Sequence, residues 1–133
     1  MYSLETLDVY NLSQQFADKI WKIVLKWDKF ALYGMGKQIT NSADSISANI
    51  AEGYGRYFIK DNIRFCFFSR GSIIETKDWL LKSVNRNLVS TEDYHCLLKE
   101  LETIHKKLNG YIKILRLNLN KQQLPETNKL TNK

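Results

Sequence analysis

Proline is nearly missing from this chain, with one in 133 residues, and the sequence has only six glycines and two cysteines. All-β sandwiches and barrels turn repeatedly on Gly and Pro, and so few of either cannot serve seven or eight strand connections. Two cysteines do not make a disulfide scaffold, and the low Gly and Pro exclude collagen-like and low-complexity classes. Long apolar runs are lacking as well. The longest stretch without a charge is the nine residues Val9–Ala17, whereas a membrane-spanning helix needs about 20 apolar residues. Met1–Asp8 carries Glu5 and Asp8 but no Lys or Arg, unlike a secretory signal. Together with the two widely spaced cysteines, this predicts reduced thiols and a cytoplasmic protein. What the chain does have is 44% hydrophobic and 26% charged residues, enough to bury a core in a length that makes one domain.

The net charge is +6 and is unevenly placed. Residues 1–56 carry equal numbers of basic and acidic groups, so the surplus lies wholly in 57–133. Positive charge raises the expectation of a nucleic-acid partner. Part of the surplus also has a local reason. Between 90 and 121 the acids Glu92, Asp93, Glu100 and Glu102 come mostly first, and Lys106, Lys107, Lys113, Arg116 and Lys121 come last. That order complements a helix dipole.

Hydrophobic periodicity predicts four helices. The first runs from about Leu7 to Trp27, with Leu12, Phe16, Ile20, Ile23 and Trp27 on one stripe and Ala17, Trp21 and Val24 on a second. A short connection, Asp28–Gly36, follows. The second helix carries Ile39, Ala43, Ile46 and Ile50 among poor helix formers such as Thr40, Asn41, Ser42 and Asp44. Periodicity outweighs propensity there if small residues let a neighbouring helix come close, and the helix should stop near Gly53-Tyr54-Gly55. The third carries Ile59, Ile63, Phe67, Ile74 and Leu81, with Gly71 expected where another backbone passes closely. The fourth is the clearest. Ser90 reads as its N-cap, and Tyr94, Leu97, Leu101, Ile104, Leu108, Tyr111 and Leu115 make an alternating three–four seam. The fold class is all-α, an antiparallel up-down-up-down four-helix bundle over residues 1–121, followed by a polar tail, 122–133, that holds Pro125.

Catalytic and metal patterns are sparse. Glu92-x-x-His95 and Glu102-x-x-His105 each match half of a di-iron motif, but both lie on one helix and cannot face each other. Cys66 sits among Phe65, Phe67 and Phe68 and reads as a core residue, and Cys96 has no metal spacing. No cofactor is expected. Gly53-Tyr54-Gly55-Arg56 precedes a helix and could cradle a phosphate, although a helix–helix turn is the commoner use of such a pair.

The segment Asn49-Ile50-Ala51-Glu52-Gly53-Tyr54-Gly55-Arg56 is more specific. With Ser45-Ile46 before it, and Arg64-Phe65 and Gly71-Ser72-Ile73-Ile74-Glu75 after it, it resembles the signature of the four-helix-bundle family of 23S rRNA-intervening-sequence proteins. The resemblance covers about Leu7 to Arg116. Its motif positions here are Asn49, Glu52, Gly53, Gly55, Arg56, Gly71, Ser72 and Glu75. The chain departs from the family pattern in having Thr40-Asn41 in place of a basic pair, no Pro in the first connection, and Ser69 where Ala is usual. The resemblance implies a homopentamer, no enzymatic activity, and a suggested RNA- or DNA-binding role. Read physically, the motif is structural: Glu52 and Arg56 are spaced for an ion pair, Asn49 can bond a loop carbonyl or amide, and the glycines permit a turn.

These lines converge on a non-enzymatic oligomeric bundle that binds RNA or DNA phosphates through Arg56, Lys60, Arg64, Lys106, Lys107 and Lys113. The competing reading is an adaptor that docks a protein such as a reverse transcriptase and has no nucleic-acid contact of its own. Neither reading involves a membrane.

Overall fold

The computed structural model describes residues 3–122. One turn of 3-10 helix, Leu4–Thr6, leads into α1 (Asp8–Val24), followed by α2 (Lys37–Tyr54), α3 (Ile59–Asn85) and α4 (Thr91–Gln122). Each helix packs against the next, and α1 closes the ring on α4. Short links make neighbours antiparallel, so the architecture is the expected all-α up-down-up-down bundle. The predicted tail lies outside the described residues beyond Gln122.

α4 forms as its sequence dictates. The Ser90 hydroxyl accepts the Asp93 amide at 3.1 Å, satisfying one of the N–H groups a helix start leaves unpaired. Leu97, Leu101, Ile104, Leu108 and Leu115 are buried along the seam, and Ile112 joins them. In α1 the buried set is Val9, Ser13, Phe16, Ala17, Ile20 and Val24. The predicted first stripe is therefore rotated: Leu12, Ile23 and Trp27 are only half-buried. Most of the second stripe turns inward, which leaves Trp21 outside.

The connection after α1 differs from the expected loop. Only 25–28 turns the chain. The Asp28 carboxylate then caps a helical turn, Lys29–Ala31, by accepting the Ala31 amide at 2.9 Å. A five-residue π-helical stretch, Leu32–Gly36, runs directly into α2. The Trp27 indole donates to the Leu88 carbonyl at 3.0 Å, which ties this corner to the α3–α4 turn. At that turn, Asn87 takes φ 60. Leu88 N–H reaches the Ser83 carbonyl at 2.9 Å and Asn87 N–H reaches Val84 at 3.2 Å, the paired bonds of a Schellman stop.

α2 and α3 form the most extensive interface, and small residues explain it. The buried Ser69 hydroxyl donates to the Ile46 carbonyl at 2.7 Å. Thr76 Oγ1 lies 2.9 Å from Ser42 Oγ and 2.7 Å from the Ser72 carbonyl. These hydroxyls keep their hydrogen bonds within the protein, so their burial carries little desolvation penalty. Packing on both sides sustains a helix that propensity alone would not.

Two expectations for α3 are corrected. Its buried set is Asn62, Ile63, Cys66, Ser69, Ile73, Thr76, Leu80 and Ser83, whereas Ile74 and Leu81 are exposed at 53% and 45%. The expected stripe of Ile59, Ile63, Phe67, Ile74 and Leu81 holds in its first half, where Ile63 is buried and Ile59 and Phe67 pack against the core, and fails at Ile74 and Leu81, which face outward. Gly71 has no close backbone neighbour either, since a Cβ built there meets nothing within 4 Å. The close approach is at Gly53, where a Cβ would lie 2.7 Å from Asn62 Oδ1 and 2.9 Å from Phe65 Cβ.

Cys66 is fully buried, and burial pushes its thiol up to about 12; Cys96 is exposed. The thiolate is the reactive species. A thiol reagent at mildly alkaline pH should therefore label one sulfur per native chain and two after denaturation. Rapid labelling of both in the native protein would contradict this packing.

Candidate nucleic-acid interface

Asn49, Glu52, Gly53, Gly55 and Arg56 of the family motif lie at or near the α2–α3 corner, whereas Gly71, Ser72 and Glu75 lie in the middle of α3, and the contacts of both groups are mostly structural. The Arg56 guanidinium reaches Glu52 at 2.7 Å, as the spacing predicts, and also lies over the Phe65 ring at 4.8 Å. Asn49 donates to the Ser45 carbonyl of its own helix at 2.9 Å, and not to a loop. Gly55 ends α2 in ordinary right-handed geometry, φ −76, so it is not held there by a left-handed conformation. Ser72 bonds back to Phe68, and Glu75 accepts the Trp79 indole N–H at 3.1 Å.

The six cations expected to bind phosphate do not form one site. Lys107 is held by Asp8 at 2.7 Å, on the side of α4 that faces α1. Arg64 lies 4.0 Å from Asp61 and 5.9 Å from the Phe65 ring centre. Lys60, Lys106 and Lys113 are exposed and form no ion pair among the described residues. Lys106 and Lys113, seven apart, share the outward face of α4.

A tighter basic cluster lies between α3 and α4 and was not singled out from sequence. The guanidinium of Arg70 on α3 sits 4.8 Å from the Phe67 ring centre, and that of Arg116 on α4 sits 5.3 Å from the same ring. Arg70 also donates to Asn109 Oδ1 at 3.0 Å. Lys77 lies seven residues after Arg70, two turns further along the same side of α3. None of Arg70, Lys77 or Arg116 forms an ion pair among the described residues. Their field is felt locally. His105, one turn of α4 before Asn109, is held below its ordinary pKa, first by partial burial and then by the charges of Lys77 and Arg70. The ring gathers two guanidinium groups on one site, and guanidinium is well suited to bidentate phosphate contacts.

Other chemistry is thin. Among the described residues, no group of three or more His, Cys, Asp or Glu could hold a metal ion. No helix among them is long and apolar enough to cross a membrane.

The fold and this surface define a four-helix bundle with one basic flank on its second helix pair. The chain belongs to the family of 23S rRNA-intervening sequence proteins, whose pattern it matches over residues 5–110. It is similar to a crystal structure of a protein with unknown function from the S23 ribosomal protein family of Bacteroides thetaiotaomicron VPI-5482. The two share 28% identity and superpose with a TM-score of 0.71, over 79% of this chain and 95% of that one. No curated protein matches the chain.

Proposed function

We propose that this protein is a non-enzymatic, cytoplasmic, self-associating bundle that binds nucleic acid by its phosphate backbone along the α3–α4 flank. The observation that carries this reading is the Phe67 ring with Arg70 and Arg116 set against it, both guanidinium groups without an acidic partner among the described residues. Lys60, Lys77, Lys106 and Lys113 extend the flank, while Arg56, Arg64 and Lys107 are engaged with carboxylates and contribute less. Self-association is supported by a separate apolar groove between α1 and α2, lined by Trp21, Leu25, Leu32 and Tyr33. Trp21 and Tyr33 are 53% and 75% exposed there, and a second copy, in a pentamer by family resemblance, would cover them.

Fluorescence anisotropy with labelled RNA tests the nucleic-acid reading. Affinity should fall steeply between about 50 and 300 mM salt, because each neutralised phosphate releases counterions. The double variant Arg70→Ala/Arg116→Ala should flatten the log–log salt slope by about two. Absence of binding at about 50 mM salt would leave the adaptor reading in its place. A partner captured from cells that survives nuclease treatment would point the same way.

His105 supplies an independent probe. Polyanion binding should raise its pKa by offsetting the Lys77 and Arg70 field, so binding should strengthen as pH falls through its titration. An NMR titration with and without RNA reads this shift, and exposed His95 is the internal control. An unmoved His105 would place the ligand elsewhere.

A further inference from the structure

Four residues link α2 to α3, and two of them are aromatic rings turned into solvent. Tyr57 is 92% exposed and Phe58 63%. Their rings meet edge to face at 4.9 Å. Neither belongs to the hydrophobic core. Phe68, 49% exposed, stands edge to face with Phe65 at 5.4 Å, and Phe65 in turn lies under Arg56. The turn itself needs no aromatic side chain, because backbone hydrogen bonds form it, from Arg56 N–H to the Gly53 carbonyl at 3.1 Å and from Asp61 N–H to the Phe58 carbonyl at 3.1 Å. Exposing rings of this size forgoes burial that would otherwise be favourable.

The charges around these rings narrow what could cover them. Glu52 and Asp61 are the acids at this corner, and each has a guanidinium near it. Lys60 forms no ion pair among the described residues. Phe58 and Lys60 line one hollow of about 350 Å³ together with Leu119 and Gln122 at the end of α4. That hollow joins the corner to the helix pair that carries Arg70 and Arg116. On α3, exposed Lys60 and half-buried Phe67 are seven residues apart, on one side of the helix. The corner is thus an aromatic platform at the end of a basic track.

We infer that Tyr57 and Phe58 stack unpaired bases, so that the ligand is a single strand whose phosphates follow the α3–α4 flank. Duplex bases are already stacked on one another and show only their edges in the grooves, so a duplex has no base face to offer these rings. A single strand has both the faces and the phosphates, and every base can stack, so any preference among bases follows stacking strength alone. This inference rests on the nucleic-acid reading above, and its test separates the two.

The test compares short oligoadenylate, oligouridylate and an RNA duplex by anisotropy at low salt, with wild-type protein and with Tyr57→Ala/Phe58→Ala. Oligoadenylate should bind tightest, since purines stack best. The double variant should lose about tenfold or more of its single-strand affinity, at an unchanged salt slope and unchanged duplex affinity. Tyr57→Trp should preserve binding. Wild-type affinity of the double variant for oligoadenylate would overturn the stacking role while leaving phosphate binding standing. Equal affinity for strand and duplex would do the same. No binding of any probe would remove both readings. A lower mass of the double variant by sedimentation would show that the rings cover a second copy of the chain, and would also overturn the inference.

Discussion

Truncating Phe16 to Ala should destabilise the protein by about 3–5 kcal/mol, a large share of the roughly 5–15 kcal/mol that holds a domain of this size together. The Phe16 side chain is fully buried, one turn from Ile20 on the inward face of α1. Its loss removes the transfer energy of a large ring and leaves a cavity that helices each packed between two neighbours cannot readily close. Urea titration should show a lower midpoint at an unchanged slope. A loss below about 1 kcal/mol would mean that α1 is rotated from the position described.

The second prediction is a contrast between two glycines. Gly53→Ala should cost about 1–3 kcal/mol. The new methyl would lie 2.9 Å from Phe65 Cβ and 3.0 Å from the Asn62 carbonyl oxygen. Neither is the free end of a flexible chain, so α2 and α3 would have to move apart. The Asn62 amide, which donates to the Tyr111 hydroxyl at 3.2 Å, would be disturbed as well, so the effect should reach α4. Gly71→Ala should act in the opposite direction, stabilising by about 0.5–1 kcal/mol, because Gly71 is exposed in mid-helix with open space around it. Thermal unfolding of both variants checks the pair. Equal effects of the same sign would contradict the assignment of the close approach to Gly53.

How much of this was legible in the sequence depends on where the deciding interaction lies. α4 was readable because its cap, its leading acids and its three–four seam are all local, and they agree. α2 was readable from Ile39, Ala43, Ile46 and Ile50 despite its serines and asparagines. The connection after α1 was not readable, because the π-helical stretch buries Met35 and Gly36, Gly36 against Val24 of α1 and Met35 beside Arg86, and no local signal announces that. In α3, Ile74 and Leu81 suggested the continuation of an inner seam, yet burial follows Ile73 and Leu80, one position earlier. Cysteine and small hydroxyl residues made the true inner face look weak, while Ile74 and Leu81 made the outer one look strong.

The candidate surface was legible only as a region. The excess of charge in the second half of the chain was visible from composition, but its pairing was not. Lys107 meets Asp8 across 99 positions of sequence, and Arg70 meets Arg116 only through the ring of Phe67. Counting lysines along α4 could not separate the cation already engaged from those left free. An Arg three residues after a Phe was the available hint, since that spacing lets a guanidinium fold over the ring.

The serine-rich character of α2 has a consequence for how the molecule comes apart. A helix composed largely of Thr, Asn, Ser and Asp between its isoleucines has little order of its own to retain when its neighbours leave. Its hydroxyls bond to its own turns and to α3, and its isoleucines are buried by the rest of the bundle. Opening α1 or α3 would therefore melt α2 at the same time. The chain has no stable half: it should unfold as a single cooperative unit, and its core amides should exchange with solvent together, not helix by helix.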